Sequence, residues 1–148
     1  LTGPAALPRV GCGAAIVRDG RILLIRRARE PEAGCWSLPG GKVDPFETVQ
    51  AAARREVVEE LGIELVGERL LCVVDMIDQE HGEHWVAPVY VADRFVGEPR
   101  IMEPLKHTGL DWFALNALPH PLATSAEMAA RMLRRDEEAA GAIGQPAP

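Results

Sequence analysis

Three glutamates, Glu56, Glu59 and Glu60, stand at i, i+3 and i+4 in the stretch GGKVDPFETVQAAARREVVEELGI, residues 40–63. On a helix these positions share one face. At about 100° per residue, Val49, Ala52 and Ala53 fall in the same arc, with Val57, Val58 and Leu61 on the other side. The carboxylates therefore continue a strip of small apolar residues. Like charges at i and i+4 cost roughly 0.2–0.5 kcal/mol, and the last turns of a helix are the unfavourable end for acids. Arg55 is the one local cation that can reach them, at i, i+4 to Glu59. A hard divalent cation offsets such crowding, because Mg²⁺ takes oxygen ligands from a few carboxylates together with substrate phosphates. The preceding Pro39-Gly40-Gly41 lets backbone approach a ligand with no Cβ in the way. It is not a P-loop: that motif needs Gly where Trp36 stands and Ser or Thr where Val43 stands.

The elements that must position these residues follow from the flanking pattern. VGCGAAIV (10–17) reads as a buried strand, RDG (18–20) as a turn and RILLIRR (21–27) as the returning strand. A loop over 28–35 leads into WSLPGG (36–41), and a helix is expected from about Glu47 to Leu61 with Gly62 at its C′ position. LVGERLLCVVDMI (65–77) and HWVAPVYVADRF (84–95) read as two long strands, Pro88 indicating an edge position or a bulge in the second. TGLDWFAL (108–115) reads as another strand. The last helix is expected over about 124–139, with Thr124 or Ser125 as N-cap and a frayed tail over 141–148. Many strands and two separated helices indicate one mixed α/β layer domain over 1–148, with its core at about 9–139.

Composition narrows the partners. A net charge of −6 argues against a nucleic-acid polymer, yet leaves room for a small phosphorylated ligand bridged by a cation. No apolar run is long enough to span a membrane. The opening LTGPAALPRV lacks the basic and apolar regions of a secretory leader. Cys12, Cys35 and Cys72 form no C-x-x-C pair and read as reduced thiols, so a cytoplasmic location is expected.

Gly41, Glu47, Arg55, Glu56, Val57, Glu59, Glu60, Gly62 and Ile63 match the Nudix box, G-x5-E-x7-R-E-U-x-E-E-x-G-U, at every fixed position. WSLPGG, ILLIRR and GLDWFALNALP also resemble the flanks of small, MutT-like Nudix hydrolases, so the resemblance covers roughly 9–135. It implies an α/β/α sandwich, with a mixed β-sheet between the box helix and the C-terminal helix. It also implies hydrolysis of a nucleoside diphosphate linked to another group. Glu59 and Glu60 would be the principal metal ligands, and Glu56 a further ligand or the base that deprotonates water. Gly40 would offer its carbonyl to the metal, Arg55 would hold a box glutamate, and Glu47 would support the turn into the helix. The cation would be Mg²⁺, or Mn²⁺ in its place. Glu103 is a candidate distal acid for the same site. Arg26, one of two arginines that alternation sends to opposite faces, is the candidate phosphate holder. Gly41, Glu47 and His84 complete the candidate substrate-binding set. Phe46 departs from many members, which carry Gly just before the first box glutamate.

Substrate markers point to the nucleoside-triphosphate members. The proline that marks many ADP-ribose hydrolases is absent, because Ile77, Asp78, Gln79 and Glu80 occupy that region, and no tyrosine typical of diadenosine-polyphosphate hydrolases stands there. Base recognition is expected from the strand around His84 to Tyr90 or from Asp111 and Trp112. The leading expectation is cleavage of a standard or modified nucleoside triphosphate to the monophosphate and pyrophosphate. The alternatives are an ADP-ribose or nucleotide-sugar pyrophosphatase and a non-catalytic nucleotide-binding module. Dimers are common in the family, so a homodimer is compatible with this reading.

Overall fold

The computed structural model describes residues 7–143. β1 (Arg9–Arg18) and β2 (Arg21–Arg27) form a hairpin closed by Asp19 and Gly20, both at positive φ as a two-residue turn requires. Their side chains alternate strictly between two cores. Ala14, Ile16, Leu23 and Ile25 pack on one face with Val57 and Leu61 of α1 (Val49–Leu61). Ala15, Ile22 and Leu24 pack on the other with Ala126, Ala129 and Ala130 of α2 (Thr124–Ile143). The result is an α/β/α sandwich. Both faces of the central strands are buried, so they read as continuous apolar runs rather than as alternation.

Past the hairpin the two strands splay, and residues 36–42 fill the gap. β3 (Trp36–Ser37) pairs with β2, and β4 (Gly40–Lys42) pairs with β1 through Gly11↔Lys42, Cys12↔Gly41 and Gly13↔Gly40. Between them the Ala14 N–H donates to the Pro39 carbonyl at 2.9 Å. The outer edge of β2 carries β9 (His107–Ala114), antiparallel. The other edge of β1 carries β7 (Glu83–Ala92), parallel, followed by β6 (Arg69–Asp78), antiparallel to β7. Among the described residues no helix is long and apolar enough to cross a membrane.

Several boundaries differ from expectation. The run 65–77 is two strands, β5 (Glu64–Val66) and β6, broken at Gly67, which has φ 66°. The run 84–95 likewise divides into β7 and β8 (Arg94–Val96), and β5 pairs with β8 as a separate ribbon. Pro88 lies in an interior strand rather than at an edge. The β1–β7 pairing passes from Val10↔Val86 to Gly13↔Val89 without a partner for Pro88, so its missing N–H falls where the ladder is interrupted. α2 starts at Thr124 instead of being capped by it: the Glu32 carboxylate accepts from both the Thr124 N–H and its hydroxyl at 3.1 Å. The helix runs on to Ile143, through residues expected in the tail; 144–148 lie outside the described residues.

Val57 and Leu61 share the buried side of α1 with Ala52, Ala53 and Glu60, and only Val58 of the expected opposite group is exposed. The buried arc is wider than the wheel indicated because α1 lies in the angle between β1 and the β4 segment. Leu61 has no accessible surface. Leu61→Ala should cost about 3 kcal/mol, read as a lower urea midpoint with an unchanged slope. A loss below about 1 kcal/mol, little more than one buried methylene is worth, would contradict this placement.

Candidate active site

α1 begins two residues later than the sequence indicated, at Val49. Thr48 is the N-cap, its hydroxyl accepting from the Ala51 N–H at 3.1 Å, and Gly62 ends the helix at φ 69° with its N–H on the Val58 carbonyl. Glu47 therefore lies outside the helix, where its carboxylate is free to pair with Arg55 at 2.8 and 2.9 Å. Arg55 also donates to Glu56 at 3.1 Å, to Glu59 at 3.2 Å and to the Lys42 carbonyl at 3.1 Å. One guanidinium thus ties the loop before α1 to two acids on it. It holds the Glu47 carboxyl down to about 2.

Glu56 and Glu60 point at the glycine segment. Glu60 is only 6% exposed, and its Oε2 accepts from the Gly40 N–H at 3.1 Å. A Cβ on Gly41 would stand 2.5 Å from Glu56 Oε1, and one on Gly40 would stand 2.1 Å from the Cys12 carbonyl oxygen. Neither position has room for a side chain: Gly40 must lie against β1, and Gly41 must admit the carboxylate. Burial pushes the Glu60 carboxyl up to about 8, with further repulsion from Glu56 and Glu103. Burial also raises Glu56, against the lowering effect of Arg55. Glu60 is the more strongly raised of the two, so it is the carboxyl that carries a proton near neutral pH. Cys12 lies alongside, its thiol pushed up to about 11 by burial and directed at the Gly41 carbonyl at 3.5 Å, so it stays a neutral packing group.

Beside Gly40 and Gly41 opens a cavity of about 320 Å³ on the α2 face of the sheet. Its walls include Leu38, Met76, Trp85, Ala87 and Val89. Several candidate residues lie elsewhere. Arg27, not Arg26, lines this cavity; Arg26 is exposed and donates to the Gly34 carbonyl at 3.1 Å. A register shift between the two in the β2–β9 pairing accompanies this exchange. His84 is not among the lining residues, because β7 alternation gives the cavity Trp85, Ala87 and Val89, while Tyr90, of the same parity as His84, packs toward α1. Trp112 packs in the α1-side core near Phe95, and Asp111 accepts from the Trp112 backbone, so neither lines the cavity. Glu103 pairs with Lys106 at 2.8 Å, near enough to Glu60 for its charge to be felt there. Trp85 and Lys106 carried no motif signal and were visible only once the strands and loop were placed.

Carboxylates with a backbone carbonyl are the donor set of a hard divalent cation, and half-buried Glu56 beside buried Glu60 fits that charge. Among the described residues no three metal-type side chains are grouped around one point as they stand. Glu59, half exposed, is held by Arg55, and Glu103 is held by Lys106. A third carboxylate joins the pair only by leaving its cationic partner. Phe46, fully exposed, has φ 66°, the conformation natural to the glycine it replaces.

The NUDIX domain family matches residues 7–135, and the chain belongs to that family. It is similar to a MutT NUDIX hydrolase from Burkholderia pseudomallei, whose crystal structure aligns with a TM-score of 0.85 and 63% identity over 86% of this chain and 98% of that one. It is 37% identical over 112 residues to the ADP-ribose pyrophosphatase of Methanocaldococcus jannaschii, covering 76% of this chain and 65% of that relative, just under two thirds of its length. It is 38% identical over 109 residues to the putative 8-oxo-dGTP diphosphatase 2 of Mycobacterium tuberculosis, covering 72% and 73%.

The raised Glu60 carboxyl sets the sign of the pH dependence. The folded chain holds a proton that the unfolded chain has released, so stability falls as pH rises from about 4.5 to about 8 and levels off above. Without divalent cations, the melting temperature should fall across that window, and Glu60→Gln should flatten the decline. A wild-type melting temperature that rises steadily from pH 5 to 8 would contradict the buried, protonated Glu60. A second prediction concerns Phe46: Phe46→Gly should stabilise by about 1 kcal/mol by relieving the left-handed backbone, seen as a higher melting temperature.

Proposed function

We propose that the chain is a divalent-cation-dependent pyrophosphohydrolase that converts a nucleoside triphosphate, standard or oxidised, to the monophosphate and pyrophosphate. The observation that carries this reading is buried Glu60 and half-buried Glu56 meeting side-chain-free backbone at Gly40–Gly41, at the edge of a cavity of about 320 Å³. Glu56 and Glu60 would hold the cation with the Gly40 carbonyl, and Glu59 would join them after release from Arg55. The cation, Mg²⁺ or Mn²⁺, would offset phosphate charge and lower the pKa of a bound water. Glu56 would take the proton from that water, with Arg55 opposing the upward push that burial gives its carboxyl. As the new P–O bond formed, the bridge between the α- and β-phosphorus would break, giving the monophosphate and pyrophosphate. Arg55 would hold Glu47, Glu56 and the loop between them in register throughout. The net charge of −6 accords with a cation-bridged small nucleotide rather than a polymer.

The name of the archaeal relative favours a second reading, in which the same chemistry acts on ADP-ribose. A panel of dNTPs, 8-oxo-dGTP and ADP-ribose with Mg²⁺, with products resolved by chromatography, separates the two. Pyrophosphate from triphosphates supports the first reading, and AMP from ADP-ribose alone supports the second. Glu59→Gln and Glu60→Gln should each lower turnover at least about a hundredfold, with the circular dichroism spectrum unchanged. Wild-type turnover in either variant would remove the carboxylates from the mechanism.

A further inference from the structure

Part of the sheet has no helix over it. α1 lies over β1, β4 and β5, and the same face of β6, at the far edge of the sheet, is open. The pairing with β7 puts Leu70, Val73, Asp75 and Ile77 on this face, opposite Tyr90, Pro88, Val86 and His84. Leu70, Val73 and Ile77 are each more than half exposed. Edge strands usually limit such exposure with charge, and Asp75 is the single charge on this face of β6. β6 is ten residues long, and among the described residues only β7 pairs with it. Its outer N–H and C=O groups and three apolar side chains therefore face solvent together.

The strand complements itself. Against β7, Leu70↔Tyr90 is followed by Cys72↔Val89, so Leu71 is an extra residue in a bulge. A second β6 can be laid antiparallel along the open edge, about a two-fold axis through Val74, with the same bulge. Leu70 then stands opposite Ile77 of the second copy, Cys72 opposite Met76, and Arg69 opposite Asp78. Every pair joins residues of one face. Apolar meets apolar, and the cation at one end of the strand meets the anion at the other. Val73 meets Asp75 on the open face, where the carboxylate keeps its water. An axis through Val73 loses this match, because it sets Leu70 against Asp75 and Arg69 against Met76. Asp78 is held in place by His81, whose backbone N–H donates to it at 3.1 Å.

The helix on the other face of β6 supports the same axis. Asp136 lies 3.9 Å from Arg69, and Ser125 shares a cavity wall with Met76, so α2 runs antiparallel to β6. Met128 and Met132 precede Asp136 at helical steps of four, on the side of α2 turned to that edge, and both are only half-buried. We propose that the outer edge of β6, with the Met128–Met132 stripe of α2, is the interface of a symmetric homodimer in which the two sheets join through their β6 strands. The two α2 helices then run antiparallel across the junction, with their dipoles opposed. A stable interface takes roughly twenty residues a side, and β6 with the facing turns of α2 comes close to that. Met76 lies at the junction and also lines the cavity beside Gly40 and Gly41, so each copy supports a cavity wall of the other.

The inference is independent of the proposed hydrolysis, and its test is the oligomeric state. Sedimentation velocity on the full chain, from micromolar to submillimolar protein, should show a reversible monomer–dimer equilibrium. Val73 is exposed in the single copy, so its variants should keep the wild-type circular dichroism spectrum. Val73→Glu sets like charges opposite each other twice, once on each side of the axis, and should raise the dissociation constant roughly tenfold or more. Val73→Lys sets a cation against Asp75 and should keep or tighten the dimer. Arg69→Glu and Asp78→Lys should each weaken it, and the double variant should recover most of the loss, which a merely structural role for either residue would not produce. A monomer at every concentration would overturn the proposal. So would a dimer indifferent to Val73→Glu, equal weakening by Val73→Glu and Val73→Lys, or charge variants whose losses simply add.

Discussion

The structure depends on one costly contact: two carboxyl groups of α1, one almost wholly buried, pressed against backbone that has no side chains. Glu60 sits on the Gly40 N–H and Glu56 fills the space that a Cβ of Gly41 would need. A buried charge of this kind is tolerated only with partners. Here the partners are a backbone donor for Glu60, the proton that its raised carboxyl keeps, and Arg55 for Glu56. The surrounding fold is arranged around that need. β1 and β2 must part so that 36–42 can pass between them, and α1 must lie close enough to bring its last turns onto the glycines.

That arrangement also links the two faces of the sheet. The carboxylates approach from the α1 side, while the cavity opens on the α2 side, and the segment Gly40–Lys42 borders both. The glycine segment therefore forms one continuous path from the acids to the cavity. Arg55 serves the first half of that path. It binds Glu47, Glu56, Glu59 and the Lys42 carbonyl, so the loop that carries the strained Phe46 cannot move without disturbing the acids. Glu32 serves the second half, joining the loop after β2 to the start of α2.

The box helix, its C′ glycine and the first hairpin were legible because each is written locally: a helical spacing of acids, Gly62, and an Asp-Gly turn between apolar runs. The layered class followed from the same signals. The breaks at Gly67 and Asp93 were not legible, since apolar content continues across them and only the pairing of β5 with β8 separates the pieces. The cap of α2 was misread because its acceptor, Glu32, comes from 92 residues away. Alternation showed only that Arg26 and Arg27 face opposite ways, and resemblance alone brought in His84; neither fixes the face, which a one-residue slip exchanges. Trp85 gave no motif at all; its place emerges from register, opposite Arg9 on β1. Long-range register, rather than local propensity, accounts for what was missed.

The central claim is that Glu56 and Glu60 form the heart of a divalent-cation site now held by a proton. Titration of Mn²⁺ into the protein at pH 7, in two buffers of different ionisation enthalpy, tests it most directly. The account predicts Mn²⁺ binding coupled to the release of a proton, with the release absent in Glu60→Gln. Binding with no proton released, or binding and proton release unchanged in that variant, would contradict it.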